Sequence, residues 1–274
     1  MKVISLLENH TCRDDCGCTH GLSLYIETEE HRILFDLGPD DLFVKNAEAL
    51  DINLKTVDTV VISHGHYDHA GGLGAFCEEN RGGTIFMRKD AFGPYYGKNG
   101  ELYSYIGPDN EVLEKFSIRF TEFEGELDPE ITLFSNPETQ DYGTAATALL
   151  MMKTEEGYIP DPFRHEQSLL LSTEGKKILF AGCAHRGIVN ILRQAEKIAG
   201  RPMDYVFSGF HLTNPASGVD EPRELIEAVG RELLARDKTR YYTGHCTGDG
   251  PFAILKEMMG DRLEDMPAGR EITI

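Results

Sequence analysis

Six residues, His64-Gly65-His66-Tyr67-Asp68-His69, constrain this chain more than any other stretch. They follow the apolar run Val57-Asp58-Thr59-Val60-Val61-Ile62-Ser63, which has the pattern of a buried strand. Gly71-Gly72-Leu73 comes next and reads as a tight turn into a short helix. Histidine and aspartate are costly to bury unless they are paired or ligated. Imidazole with carboxylate is the donor set that zinc, iron or manganese takes. The competing reading is a solvated polar loop, but three imidazoles and a carboxylate packed against a strand's end favour a metal site.

The bulk numbers narrow the partners. A chain of 274 residues with 41% hydrophobic and 27% charged residues is long enough to bury a substantial core and ordinary for a globular protein. Its formal net charge of −19 argues against nucleic acid and anionic membrane, because binding polyphosphate needs a basic footprint. No segment approaches the apolar length needed to cross a bilayer, and Met1 to Glu8 is too short and too soon acidic for a signal peptide. The expectation is a cytoplasmic protein acting on a small molecule. Six cysteines are no disulfide framework at this size. Cys12, Cys16 and Cys18 crowd an N-terminal loop with His20 close behind, whereas Cys77, Cys183 and Cys246 are scattered.

Along the chain, strands are expected at Val3–Leu7, Gly21–Glu27 and Arg32–Asp36, with a helix from Asp40 to Leu50. After the histidine run, strands are expected around Thr84–Met87 and Ser117–Phe120. Between them, the Gly- and Tyr-rich residues 91–107 form the candidate lid or loop insertion, or a mobile surface insertion, within a single domain spanning 1–274. Thr147–Met152 reads as strand, Pro160-Asp161-Pro162 delivers the chain to His165, and Ser168–Ser172 is strand again. Three further strands end at Cys183 with His185, at His211 and at His245; helices are expected over Gly187–Ala199, Pro222–Arg236 and Pro251–Met259.

Two patterns emerge. Arg32-Ile33-Leu34-Phe35-Asp36-Leu37-Gly38 and Lys177-Ile178-Leu179-Phe180-Ala181-Gly182-Cys183 are alike, which points to two similar halves. Four apolar strands also end at a histidine or cysteine, and ligands in layered α/β folds gather outside the carboxyl ends of strands.

With His64, His66, Asp68 and His69 in the spacing His-x-His-x-Asp-His, the chain resembles the metallo-β-lactamase superfamily over nearly its whole length. Three segments resemble the dihydropterin ribofuranosyl-aminobenzene phosphate synthase-like branch: His165-Glu166-Gln167-Ser168-Leu169, Gly182-Cys183-Ala184-His185-Arg186-Gly187-Ile188-Val189-Asn190 and Ser208-Gly209-Phe210-His211-Leu212. The resemblance implies an α/β fold, a four-layer αββα sandwich of two similar halves. It implies two divalent metal ions, zinc first and iron or manganese next. His64, His66 and His165 would hold one ion; Asp68, His69 and His245 would hold the other. Where many members carry Gly-Asp, this chain has Gly182-Cys183, so Cys183 is the favoured further ligand and His185 the alternative.

The expected activity is that of a metal-dependent hydrolase. A dinuclear-metal-activated hydroxide would attack a phosphate ester, phosphodiester or related small metabolite, with Asp68 orienting it and His185 or His211 supplying the leaving group's proton. Arg164 and Arg186 lie beside ligand positions, where they could grip an anion, or they are surface charges. Asp36 suits a carboxylate that orients a ligand imidazole. The competing classes are a pterin-linked synthase or transferase using the same metals, a redox enzyme, and a non-catalytic metal sensor. Tyr95, Tyr96, Tyr103 and Tyr105 would stack on a pterin ring in the first of these. An extra metal at Cys12, Cys16 and Cys18 is the sensor's only support; plain thiols are the alternative.

Overall fold

A computed structural model gives the architecture, and it describes residues 1–116, 120–135 and 141–274. Ser117, Ile118 and Arg119 of one expected strand lie outside the described residues, and the strand there is Phe120–Thr121. The chain divides into two compact units, one of Met1–Gly93, Gly107–Phe123 and Met266–Ile274, the other of Pro94–Ile106 and Glu124–Asp265.

The first unit is built on a seven-stranded sheet in the spatial order Glu271–Thr273, Lys2–Leu7, Ser23–Glu27, Arg32–Phe35, Thr59–Val61, Thr84–Phe86, Phe120–Thr121. The first four strands pair antiparallel and the pairings from Arg32–Phe35 onward are parallel. Leu6, Leu34, Val60 and Ile62 are buried from one side by Phe43 and Ala47 of helix Leu42–Ala49 and by Leu73 and Phe76 of helix Leu73–Glu79.

The second unit repeats that pattern. Its seven-stranded sheet runs Gly125–Glu126, Ile131–Ser135, Gln167–Thr173, Lys176–Phe180, Tyr205–Phe207, Arg240–Thr243, Leu263–Asp265, with three antiparallel pairings followed by three parallel ones. The two alike segments of the sequence occupy the same place, since Arg32–Phe35 and Lys176–Phe180 are each the fourth strand, where the pairing changes sense. Helices Ile188–Ala199, Arg223–Leu234 and Asp249–Met259 bury Ile188, Leu192, Ile226, Val229, Leu233 and Leu255 in this unit's core. All three fall within about two residues of the expected boundaries.

Two expectations differ in detail. Residues 91–107, read as a lid or loop, contain the hairpin strands Tyr95–Asn99 and Leu102–Tyr105, which join Leu150–Thr154 and Gly157–Pro160 in a four-stranded sheet. The two-residue loop is Gly100-Glu101, and Gly100 in its first position, at φ +60°, turns the chain. Thr147–Leu149, read as strand, is instead a turn: the Thr144 hydroxyl accepts the Thr147 amide at 3.2 Å, a local bond that competes with a sheet ladder.

Candidate metal and substrate site

The first unit supplies one set of donors. The strand Thr59–Val61 ends just before Ser63, and the four-residue helix Tyr67–Ala70 begins inside the histidine run, so Asp68 and His69 are carried on helical backbone while His66 remains extended. Gly65 is required here because a Cβ at that position would collide with the Ala91 carbonyl. His64, His66, Asp68 and His69 are all buried, and the His64 ring lies 4.6 Å from that of His66 and 4.1 Å from that of His69.

Their orientation comes from Asp36, at the end of its strand and fully buried. Its carboxylate accepts the Ser63 amide at 2.7 Å, the Ser63 hydroxyl at 2.7 Å and His69 Nδ1 at 2.7 Å. With its proton given to Asp36, the Ser63 hydroxyl can only accept from His64 Nδ1, 2.8 Å away. Both rings therefore carry their proton on Nδ1 and present Nε2 as the donor. This is the arrangement of histidines that ligate a metal. His20, to which the sequence assigned no role, places Nε2 3.2 Å from Asp68 Oδ2.

The second unit gathers the later candidates. His165 is fully buried, with Nε2 2.9 Å from Asp161 Oδ2 and its ring 4.0 Å from that of Tyr95. The other Asp161 oxygen accepts the Phe163 amide at 2.7 Å, holding a loop in which Phe163 has the left-handed φ of +50°. Asp161 is thus a positioning residue that sequence reading passed over; its only trace was the four-residue spacing to His165. Glu166 was also missed. Its carboxylate accepts the amides of His185 at 2.7 Å and Arg186 at 3.1 Å, pinning the Cys183–Arg186 loop. Complete burial pushes the Glu166 carboxyl up to about 7, against the opposing pull of those amides and the Arg186 guanidinium.

His185 stacks on Phe163 at 4.8 Å and meets the His211 ring edge-on at 4.3 Å. Cys183, His211 and Cys246 place one donor atom each within 4.8 Å of one another. Burial opposes ionisation of the Cys246 thiol, but the adjoining Cys183 and His211, with His245, outweigh it and hold the thiol well below its usual range. His245 is buried and, like His211, holds a left-handed backbone, φ +50° and φ +49°. A cavity of about 520 Å³ opens beside His185; Phe163, Arg164, Arg186, Thr144 and Thr147 are among its walls. Cys12 and Cys18 are exposed, and Cys12, Cys16 and Cys18 form no converging three-donor group among the described residues.

Buried imidazoles with fixed tautomers, thiols and carboxylates are a donor chemistry that fits divalent transition metals. Residues 16–245 match the family model described as metallo-beta-lactamase superfamily. The chain belongs to the metallo-β-lactamase superfamily.

A Methanocaldococcus jannaschii protein named 7,8-dihydropterin-6-methyl-4-(beta-D-ribofuranosyl)-aminobenzene-5'-phosphate synthase is 31% identical, over 99% of this chain and 96% of its own length. The crystal structure of Tm1679, described as a metal-dependent hydrolase of the beta-lactamase superfamily, superposes with a TM-score of 0.82 at 28% identity, covering 100% of this chain and 99% of that one. The Zn2+-bound PqqB of Methylobacterium extorquens shares the fold at a TM-score of 0.60 and 14% identity, with both chains fully covered. The metallo-β-lactamase fold is therefore the fold of this chain. Among the described residues no helix is long and apolar enough to cross a membrane.

Proposed function

We propose that this protein is a metal-dependent hydrolase acting on a small phosphorylated metabolite, with His64, His66, Asp68, His69, His165, Cys183 and His245 as the ligands of two divalent metal ions, zinc foremost. Membership of the superfamily and the fixed Nε2 orientation of His64 and His69 support the ligand set. Bound metal supplies Lewis acidity, which makes water nucleophilic near neutral pH. Asp68 orients the attacking water. His185 gives a proton to the leaving oxygen, a role that favours it over His211 because His185 is on the wall of the cavity.

The observation that carries the substrate class is that cavity. Arg186 donates to the Pro162 carbonyl at 2.7 Å, which holds its guanidinium in place beside His185, and Arg164 is on the same wall. Two guanidiniums with two threonine hydroxyls suit a phosphate group. The net charge of −19 supports a small anion over a nucleic acid and leaves these arginines as a local basic feature in an acidic protein. A cytoplasmic setting is part of the same proposal.

The synthase name of the Methanocaldococcus relative supports a second reading, transfer chemistry on a pterin-linked substrate. In the hairpin sheet Tyr103 already stacks on Tyr158 at 3.8 Å, and Tyr96 packs edge-on against both Tyr105 and Tyr158. These rings are engaged with one another, which favours the hydrolase reading over stacking by that cluster.

A screen of phosphomonoesters, phosphodiesters, thioesters and lactones separates the readings. The expected result is turnover of a phosphorylated compound, with Arg186→Ala raising KM by about tenfold or more. Turnover confined to neutral lactones or thioesters would overturn the phosphate assignment. Activity only with a pterin acceptor or donor would establish the second reading.

A further inference from the structure

Three neighbouring parallel strands of the second unit, Lys176–Phe180, Tyr205–Phe207 and Arg240–Thr243, deliver Cys183, His211 and Cys246 respectively beyond their carboxyl ends. Adjacent strands lie about 4.8 Å apart, so loops leaving successive strands bring side chains to separations that one ion can span. The sulfur and nitrogen donors of this trio are within 4.8 Å of one another. A tetrahedral zinc site, with Zn–S near ~2.3 Å and Zn–N near ~2.0 Å, needs donor atoms separated by roughly 3.3–3.8 Å, a rotamer adjustment away.

Packing alone accounts poorly for the trio. His211 is 3% exposed, its ring nitrogens meet no nitrogen or oxygen partner, and the polar group beside them is the Cys246 thiol. Burying an imidazole without a nitrogen or oxygen partner is costly, so a histidine kept between two thiols is better explained by a ligand than by core filling. Its backbone is also held at φ +49°, uncommon for a residue with a side chain. Gly209 leaves room for the second sulfur, since a Cβ there would press directly on Cys246 Sγ. Ser208 locks the loop by donating from Oγ to the Gly209 carbonyl at 2.6 Å, and the Thr247 hydroxyl accepts the Phe210 amide at 2.9 Å.

We propose that Cys183, Cys246 and His211 form a thiophilic metal subsite carried wholly by the second unit. Cys246 and His211 thereby become metal donors in addition to the seven ligands assigned above. Two thiolates and an imidazole select soft or borderline ions such as Zn2+ and Cd2+ over Mg2+ and Mn2+. The subsite shares Cys183 with the ligand set proposed above and to that extent rests on that reading; Cys246 and His211 belong to it alone, and it includes none of the first unit's donors.

The test uses full-length protein carrying Cys12→Ser and Cys18→Ser, kept reduced and anaerobic, and loaded with one equivalent of Cd2+. X-ray absorption at the cadmium edge is expected to count two sulfur neighbours. The ultraviolet thiolate-to-cadmium absorbance per bound ion is expected to fall by about half in Cys246→Ser. His211→Ala is expected to weaken Cd2+ binding by at least about tenfold. Asp68→Ala should leave the absorbance in place, whatever it does to catalysis. One sulfur or none in the otherwise unaltered chain would overturn the proposal without any reliance on the folding of Cys246→Ser. So would a Cys246→Ser chain with unchanged absorbance and affinity.

Discussion

The buried carboxylate of Asp36 accepts His69 Nδ1 at 2.7 Å and, through the Ser63 hydroxyl, also governs His64. One acid thus sets the tautomer of two imidazoles. Carboxylates behind ligand histidines typically hold 10–100-fold in metal affinity. Asp36→Ala is therefore expected to weaken metal binding by about 10–100-fold in a chelator competition. Asp36→Asn, which keeps the shape but replaces one acceptor oxygen with an amide, should fall between. Equal affinity in Asp36→Ala and the parent would show that the rings are oriented by something else.

Gly65 faces the Ala91 carbonyl so closely that no side chain fits. Gly65→Ala is expected to displace either the His64–His66 backbone or the Ala91 segment, costing about 1–3 kcal/mol in denaturant unfolding together with most of the metal retention. Unchanged stability and metal content would mean that the loop has slack the structure does not suggest.

Glu166 satisfies two amides of the Cys183–Arg186 loop, one on each oxygen. Glu166→Ala leaves the buried His185 amide and the half-buried Arg186 amide without their acceptor, with a loss of about 2 kcal/mol in denaturant unfolding and a lower turnover as His185 loses its place. Gln can accept only one of the two bonds while turning an NH2 toward the other donor, so Glu166→Gln should be intermediate. A Gln variant as impaired as Ala would point to the charge itself.

Tyr241 is fully buried, and its hydroxyl donates to the Leu233 carbonyl at 2.7 Å. Burial pushes its pKa up to about 12 from the ordinary 10.0. Because the folded value lies above the unfolded one, the neutral phenol stabilises the fold fully below pH 10, and that contribution fades as pH rises toward 12. The loss approaches about 3 kcal/mol, read as the difference in unfolding free energy between the parent and Tyr241→Phe from pH 9 to 12. A pH-independent difference would contradict the assignment.

Much of this was legible in the chain. The strand ends carrying His64, Cys183, His211 and His245 stood out because apolar runs stopped at metal-binding residue types, and the likeness of Arg32–Gly38 to Lys177–Cys183 foreshadowed two sheets with the same pairing pattern. Asp36 was readable for the same reason, as an acid at a strand's end. Asp161, Glu166 and His20 were not, because their importance lies in which amides and imidazoles they meet across the fold, and sequence spacing does not encode that. Cys246 was left without a role by the sequence, because only the placement of its strand beside those of Cys183 and His211 brings its sulfur near theirs. The hairpin at Tyr95–Tyr105 was hidden by glycines and tyrosines that masked its alternation, although Gly100 stood at its turn.

The most direct measurement follows turnover of a phosphorylated substrate against metal content, in the parent and in Asp68→Ala. The account expects metal-stripped protein to be inactive, activity to return as the content rises to about two ions per chain, and Asp68→Ala to lose at least about a hundredfold at full loading. Full activity in the stripped protein, or in Asp68→Ala, would contradict it.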